Sequence, residues 1–204
     1  MNLRIFVPRD AGAVAVGADD VALALEQAAS ERGVPIDIVR TGSRGLYWLE
    51  PMVEVATPQG RVAFGPLTPA DAAAVLDAMV AEGPHPLRLG ITEQIPWLKR
   101  QVRLTFARCG VVDPRSLEDY RAHQGYKGLE RALELGSDGI LAEVTASGLR
   151  GRGGAGFPTG IKWKTVAEAG ADRKYIVCNA DEGDSGTFAD RMIMEGDPFL
   201  VIGK

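Results

Sequence analysis

Two stretches of this chain bring together residue types that chemistry needs. The first, Gly151–Gly160, reads GRGGAGFPTG and holds five glycines, with Ile161-Lys162-Trp163 directly behind them. Glycine at this density marks backbone that turns tightly or lies against a ligand. Arg152, Phe157, Lys162 and Trp163 add cationic and stacking groups around the glycines. Pro158 stiffens one wall of the loop by fixing its own backbone and restricting Phe157 before it. A loop of bare amides that opens a helix at Ile161 suits a phosphate or another electron-rich group. The second stretch, Asn179-Ala180-Asp181-Glu182-Gly183-Asp184, leaves the apolar run Lys174–Cys178, which reads as a strand. Ligands gather at strand C-termini in α/β sheets. Asn179 offers both donor and acceptor, matching the mixed edge of an isoalloxazine or a nicotinamide amide, and the carboxylates suit ribose or ribityl hydroxyls. A solvated acidic turn and a magnesium site are the alternatives, although the spacing is not that of an EF-hand. If the two loops face one ligand, a nucleotide-type cofactor fits them far better than a protein partner.

Gly151, Gly153 and Gly156 formally satisfy G-x-G-x-x-G, but a helical segment rather than a strand precedes them, so this is not a dinucleotide fingerprint. No lysine stands where a P-loop requires one. With 23 Lys and Arg against 27 Asp and Glu, the net charge is −4, and no basic stripe suggests nucleic acid. No apolar stretch is long enough to span a bilayer, and Met1–Asp10 lacks the core of a signal peptide. Cys109 and Cys178 are the only cysteines and read as small buried apolar groups, which points to a reducing cytoplasm. His85 and His123 lack companions at metal-ligand spacing and read as solvated. Trp163 reads as core.

The elements that would position the two loops follow from local signals. Leu3–Val7 and Pro35–Arg40 read as strands, and Asp19 or Asp20 caps a helix over Val21–Arg32 that Gly33 stops. Met52–Ala56 and Arg61–Phe64 form a hairpin about Thr57–Gly60. Thr68-Pro69 opens a helix reaching about Ala81. The first 80 or so residues are therefore a compact α/β unit. The stretch from Gly83 to Arg100 reads as linker and surface wrap. Helical segments follow from Ser116–Tyr120, over Gly128–Leu135, over Ile140–Ala146 and over Ile161–Ala169.

Taken together, GRGGAGFPTGIKW at Gly151–Trp163 and CNADEGDSGTFADR at Cys178–Arg191 resemble the flavin- and NADH-binding subunit shared by respiratory NADH:quinone oxidoreductase, NAD-linked hydrogenases and formate dehydrogenases, the 51 kDa FMN-binding family. The stretch Leu104–Leu133 looks most like the beta subunit of soluble NAD-dependent formate dehydrogenase. Thr41–Leu76 resembles a thioredoxin-like [2Fe–2S] ferredoxin, but Ser43 and Tyr47 stand where that family carries cluster cysteines, and two further cysteines are missing. Serine and tyrosine cannot supply those thiolates.

The resemblance implies an α/β fold: a thioredoxin-like N-terminal domain without cluster ligands over 1–83, a linker and helical wrap over 84–127, and the start of a Rossmann-like FMN/NADH-binding domain over 128–204. Carried over by position, Gly151, Arg152, Gly153, Gly154, Lys162, Asn179, Asp181 and Glu182 would contact FMN. Gly156 belongs to the same cofactor-binding set, while Phe157 and Asp184 would help place the dinucleotide. Glu182 is the carboxylate nearest the chemistry, and Thr165 falls where some relatives carry an aromatic beside the adenine. The implied activity is hydride exchange between NAD(H) and FMN as the diaphorase subunit of a cytoplasmic formate dehydrogenase, with no nucleic acid and no membrane involved. The implied partners are a molybdenum-containing alpha subunit and a small [2Fe–2S] thioredoxin-like subunit. Relatives continue into a domain carrying a [4Fe–4S] cluster whose ligands are absent here, so the chain reads as a partial subunit that binds FMN weakly, or not at all, on its own. The alternatives are the equivalent subunit of a hydrogenase or respiratory complex, and a non-catalytic assembly module.

Overall fold

A computed structural model of the chain describes residues 2–152 and 154–203. Gly153, one of the expected FMN contacts, lies outside them. The described residues fall into two compact units, one running to His123 and completed by Asp181–Ile202, the other Gln124–Ala180.

The first unit is built on a five-stranded sheet of order β2-β1-β3-β4-β5. Strand β1 (Leu3–Pro8) runs parallel to β2 (Ile36–Thr41), and helices α1 (Ala11–Ala15) and α2 (Ala18–Arg32) form the crossover that parallel pairing requires. Asp10 caps α1 by accepting from the amides of Gly12 and Ala13. Helix α2 starts earlier than expected, after Gly17, so Asp19 and Asp20 sit in its first turn, where they complement the dipole without capping it. Gly33 ends it with a φ of 63°, a conformation that costs glycine little.

The hairpin of β3 (Val53–Thr57) and β4 (Gly60–Phe64) adds two antiparallel strands. Thr68 and Asp71 then cap each other reciprocally and lead into α3 (Ala72–Ala81). This β-α-β-β-β-α order is the thioredoxin-like arrangement that the N-terminal resemblance implied. The stretch expected as plain wrap instead contributes an edge strand, β5 (Arg88–Ile91), and a short helix, α4 (Pro96–Lys99). Strand β5 is four residues with a glycine inside, too short to show a period. Beyond it, Ser116 caps α5 (Leu117–Ala122).

Alternation along the strands separates two faces. Ile5, Val7, Val53, Val55, Val62 and Phe64 point to one face and meet Val21, Leu25, Val75 and Leu76 of α2 and α3 in the main core. The opposite face is mixed. Ala63 joins Leu46, Met52, Ile95 and Leu98 in a small apolar cluster, while Glu54 and Arg61 are drawn into ion pairs beside it.

In the second unit, α6 (Lys127–Ala146) is two helical segments joined at Gly136, whose φ of 66° and ψ of 179° break the ladder between the two expected runs. Helix α7 (Thr159–Glu168) follows the glycine loop. The strand expected over Lys174–Cys178 does not form: the segment has no regular secondary structure, and Ile176 is 94% exposed. A strand needs a neighbour to satisfy its backbone, and none of the described residues of this unit supplies one. Cys178 is likewise exposed, not buried, and Trp163 lies on the surface of α7.

The chain then returns to the first unit through α8 (Ala189–Gly196) and α9 (Pro198–Ile202). Gly42 and Gly196 meet so closely that a Cβ on Gly42 would lie 2.5 Å from the Gly196 Cα. Arg108 closes the contact with a 2.8 Å ion pair to Asp197, which is 1% exposed.

Candidate functional site

The glycine loop is a tight bend held at its base. Gly151 donates to the Phe157 carbonyl at 2.9 Å and Thr159 donates to the Leu149 carbonyl at 2.9 Å, with a bridge between Arg150 and Pro158. Within the bend Gly154 and Gly156 have φ of 90° and 59°, which side chains with a Cβ rarely adopt. Nothing lies within 4 Å of a Cβ built on Gly154, so nothing packs against that side of the bend. Gly160 has a different duty. A Cβ there would stand 2.5 Å from the Thr145 Oγ1 and 2.9 Å from the Thr145 Cα, so glycine is what lets α7 lie against α6.

Helix α7 starts from Pro158 with no side-chain cap on its first turn. Helix N-termini left this way attract anions through their unpaired amides and the positive end of the dipole. The Lys162 Nζ sits 5.8 Å from the centre of the Phe157 ring, which places a cation and an aromatic face beside that turn. Gly151, Arg152, Gly154, Gly156, Phe157 and Lys162 are therefore gathered on one bend of the second unit. Those residues fit a phosphate-bearing aromatic cofactor: open amides, a flexible cation, and a stacking surface that the bend leaves exposed. Asn179 belongs to the same unit, directly after the irregular segment Lys174–Cys178, and is exposed.

Asp181, Glu182 and Asp184 belong to the first unit. Asp181 and Asp184 are exposed. The Glu182 carboxylate is committed locally, accepting from the amides of Asp190 at 2.9 Å and Arg191 at 3.0 Å, and so caps the first turn of α8. Its φ of 48° is the strained side of that arrangement. The acidic turn is thus tied to the helix that follows it, and that helix is tied to the N-terminal sheet domain. The Ala11 amide donates to Glu195 at 2.7 Å, and the Cys109 thiol lies 3.6 Å from the Met192 carbonyl. Burial pushes the Cys109 thiol up to about 11, which leaves it an inert core group.

Sequence reasoning missed the part played by Tyr47. Treated only as a position without a thiolate, it packs edge-on to Phe188 with ring centres 6.3 Å apart and hydrogen-bonds Arg191, which itself lies over the Phe188 ring at 4.7 Å. Burial raises the Tyr47 hydroxyl and the hydrogen bond to Arg191 opposes that shift. Ser43, the other such position, donates to Glu50 at 2.7 Å and accepts from the Gly45 amide at 2.9 Å. The only advance signal was the presence of Phe188 and Arg191 in one motif, since their partner lies far away in sequence. His85 accepts from the Leu87 amide, and the His123 Nδ1 lies 2.9 Å from the Asp119 carbonyl. Among the described residues no cluster of three metal-ligating side chains occurs, and no helix is long and apolar enough to cross a membrane.

Comparison with known proteins locates the similarity. The chain is 52% identical over 104 residues to the NADP-reducing hydrogenase subunit HndC of Solidesulfovibrio fructosivorans, covering 51% of this chain and 21% of that one. It is 54% identical over 93 residues to an NADH-quinone oxidoreductase subunit of Rhizobium meliloti, covering 45% of this chain and 22% of that one. The chain thus spans about a fifth of the length of the curated relatives it matches. Among solved structures, a thioredoxin-like [2Fe–2S] ferredoxin from Aquifex aeolicus aligns with 43% of this chain and 96% of its own, at 20% identity and a TM-score of 0.37. An NAD+-reducing [NiFe]-hydrogenase aligns with 94% of this chain and 32% of its own, at 22% identity and a TM-score of 0.34. The segment that carries both loops, residues 144–203, matches the family described as the Nuo51 FMN-binding domain.

Proposed function

We propose that this chain supplies part of the FMN- and NAD(H)-binding subunit of a multi-subunit oxidoreductase of the hydrogenase or respiratory NADH-dehydrogenase type. The observation that carries the reading is the open glycine bend running into the uncapped first turn of α7, inside the segment that matches an FMN-binding domain. FMN, when bound, would supply hydride exchange with the nicotinamide and one-electron transfer onward, so no side-chain nucleophile is needed. The work of this chain is binding and orientation. Amides of Gly154 and Gly156 in the bend and of Ile161 in the first turn of α7 receive the phosphate, and Lys162 and Arg152 neutralise it. Phe157 offers a stacking face. Asn179 addresses the mixed edge of the heterocycle, and Asp181 and Asp184 accept from sugar hydroxyls. Glu182 acts by holding the start of α8 and with it the acidic turn. In this reading residues 128–204 begin the cofactor domain, and 84–127 link it to the sheet domain.

A formate dehydrogenase is the second reading. It is favoured by the sheet domain, where Ser43 and Tyr47 are hydrogen-bonded within the chain at positions that the ferredoxin resemblance assigns to cluster thiolates. Formate, a molybdenum-containing alpha subunit and a small [2Fe–2S] subunit would then be partners, and the subunits that co-purify with this protein separate the two readings.

The test of the flavin site is a titration of the protein with FMN, followed by quenching of flavin fluorescence. Saturable quenching is expected, weakened roughly tenfold by the pair of substitutions R152Q and K162Q, as loss of charge-assisted contacts to a phosphate predicts. A protein that leaves flavin emission untouched, alone and in its assembly, ends the proposal and favours a non-catalytic assembly module.

A further inference from the structure

The polar face of the sheet pairs its buried cations with care, except for one. Arg44 donates twice to Glu54, at 2.7 and 2.8 Å, and lies 3.3 Å from Glu93. Arg61 reaches Glu54 at 3.4 Å, donates to the carbonyls of Gly110 and Val111, and stacks 3.3 Å from the centre of the Phe6 ring. Arg108 has Asp197. Arg103 makes no ion pair and no hydrogen bond among the described residues, and its Nη2 is buried without a partner. Burial first, and then the neighbouring Arg44 guanidinium, push its pKa down. That is the mark of a cation short of a counter-charge, and buried charges are otherwise paired.

Arg103 lines a cavity of 350 Å³ together with Arg44, Lys99, Glu93 and the amide side chains of Gln94 and Gln101. This volume sits at the lower end of the roughly 300–1,000 Å³ typical of small-molecule sites. Glu93 also lines the cavity and, with Glu54, partly offsets the charge of Arg103, but Glu93 and Glu54 are both paired to Arg44, so neither Arg103 nor Lys99 has an ion pair there, and two amides that can donate lie beside them. We propose that this cavity binds an oxyanion of the phosphoryl class, with Arg103 and Lys99 as its charge partners and Gln94 and Gln101 as further donors. A guanidinium presents paired N–H groups that match two oxygens of such a group at once, whereas a lysine supplies an adaptable point charge. The site lies wholly in the first unit and outside residues 144–203, so it stands or falls apart from the flavin reading.

A phosphoryl group can arrive as free phosphate or as part of a nucleotide, and the test separates these sources. The full chain, labelled with ¹⁵N, is titrated with inorganic phosphate and, separately, with AMP, each against sodium chloride at equal ionic strength, because screening alone shifts surface amides. Saturable shifts centred on residues 93–103 are expected, weakened roughly tenfold in R103Q and less in K99Q. Saturation with AMP alone assigns the site to a nucleotide, and saturation with phosphate assigns it to the free anion. Responses to both that match chloride overturn the proposal. Thermal unfolding gives an independent check. R103Q should melt higher than the parent in chloride, because it removes a half-buried cation without an ion pair, and phosphate should raise the midpoint of the parent but not of R103Q. An R103Q protein that melts lower or fails to fold, with phosphate binding unaltered in K99Q, makes Arg103 a structural cation and overturns the assignment.

Discussion

The sheet domain and the glycine-loop unit solve opposite problems. In the first, nearly every strand residue on one face is buried against α2 and α3, and even the polar face is organised into ion pairs around Glu54. In the second, α6 carries no buried residue, Gly160 is the buried residue of α7, and the apolar run at Tyr175–Val177 lies in the open. Stability resides where side chains interlock, and the residues expected to meet a cofactor reside where they do not. Loops that bind ligands are drawn from the weakly stabilised end of a structure for this reason. The acidic turn is the intermediate case: its side chains face outward, but Glu182 and α8 anchor it to the well-packed unit.

The largest expected effect tests that contrast directly. Leu25 is fully buried between helix and sheet, so L25A should cost about 2–5 kcal/mol in denaturant unfolding. Truncating Ile176, which is almost fully exposed, should cost no more than about 0.5 kcal/mol. A large loss from I176A would mean that the second unit buries this run in solution and that the contrast between the units is false.

The next effect sharpens the account of the polar face. Burial is the main cause that lifts Glu50 from 4.5 to about 7, opposed by the hydrogen bonds from the Met52 amide and Ser43, with the carboxylates of Asp10 and Glu54 adding to the rise. A folded-state pKa raised above the unfolded value means that the folded protein binds more protons between pH 4.5 and about 7. Stability from this group is therefore greatest at and below pH 4.5 and falls as pH rises toward 7, by on the order of 3 kcal/mol. Asp10 is shifted the same way by burial and contributes with the same sign. Unfolding free energies across this range should show the decline in the parent and a much flatter profile in E50Q. An equal slope in both proteins would place the carboxyl in water.

How much of this was legible in sequence depended on how local the cause was. The α2 stop at Gly33, the hairpin of β3 and β4 and the helix start at Thr68-Pro69 are each fixed within a few residues, and all were readable. Strand β5 was not, because four residues around Gly90 become a strand only through pairing with β4. Helices α8 and α9 were hidden for the same reason, since Gly42, Tyr47 and Arg108 lie some 80 to 150 residues away from their partners. Lys174–Cys178 failed in the other direction: its composition favours a strand, but no neighbour is present among the described residues of its unit. The glycine bend was legible as an open loop because glycine content reports backbone freedom directly. What composition could not separate was which glycines serve the bend and which serve packing.

Gly154 and Gly160 make that separation measurable, and theirs is the smallest expected effect. Gly154 needs its positive φ but has free space around it, so G154A should cost about 1 kcal/mol or less, all of it conformational. Gly160 has an ordinary helical backbone but no space, and the obstruction is the Thr145 backbone as well as its hydroxyl. A side chain could swing away, whereas the Cα of Thr145, in the last turn of α6, moves only with the helix backbone. G160A should therefore push α7 off α6 at a cost of about 1–3 kcal/mol, seen as faster amide exchange in both helices with the sheet domain unaffected. T145S keeps the backbone obstruction and should not rescue G160A. If G160A exchanges like the parent, the α6–α7 contact does not hold in solution, and the first turn of α7 is not fixed where a phosphate would need it.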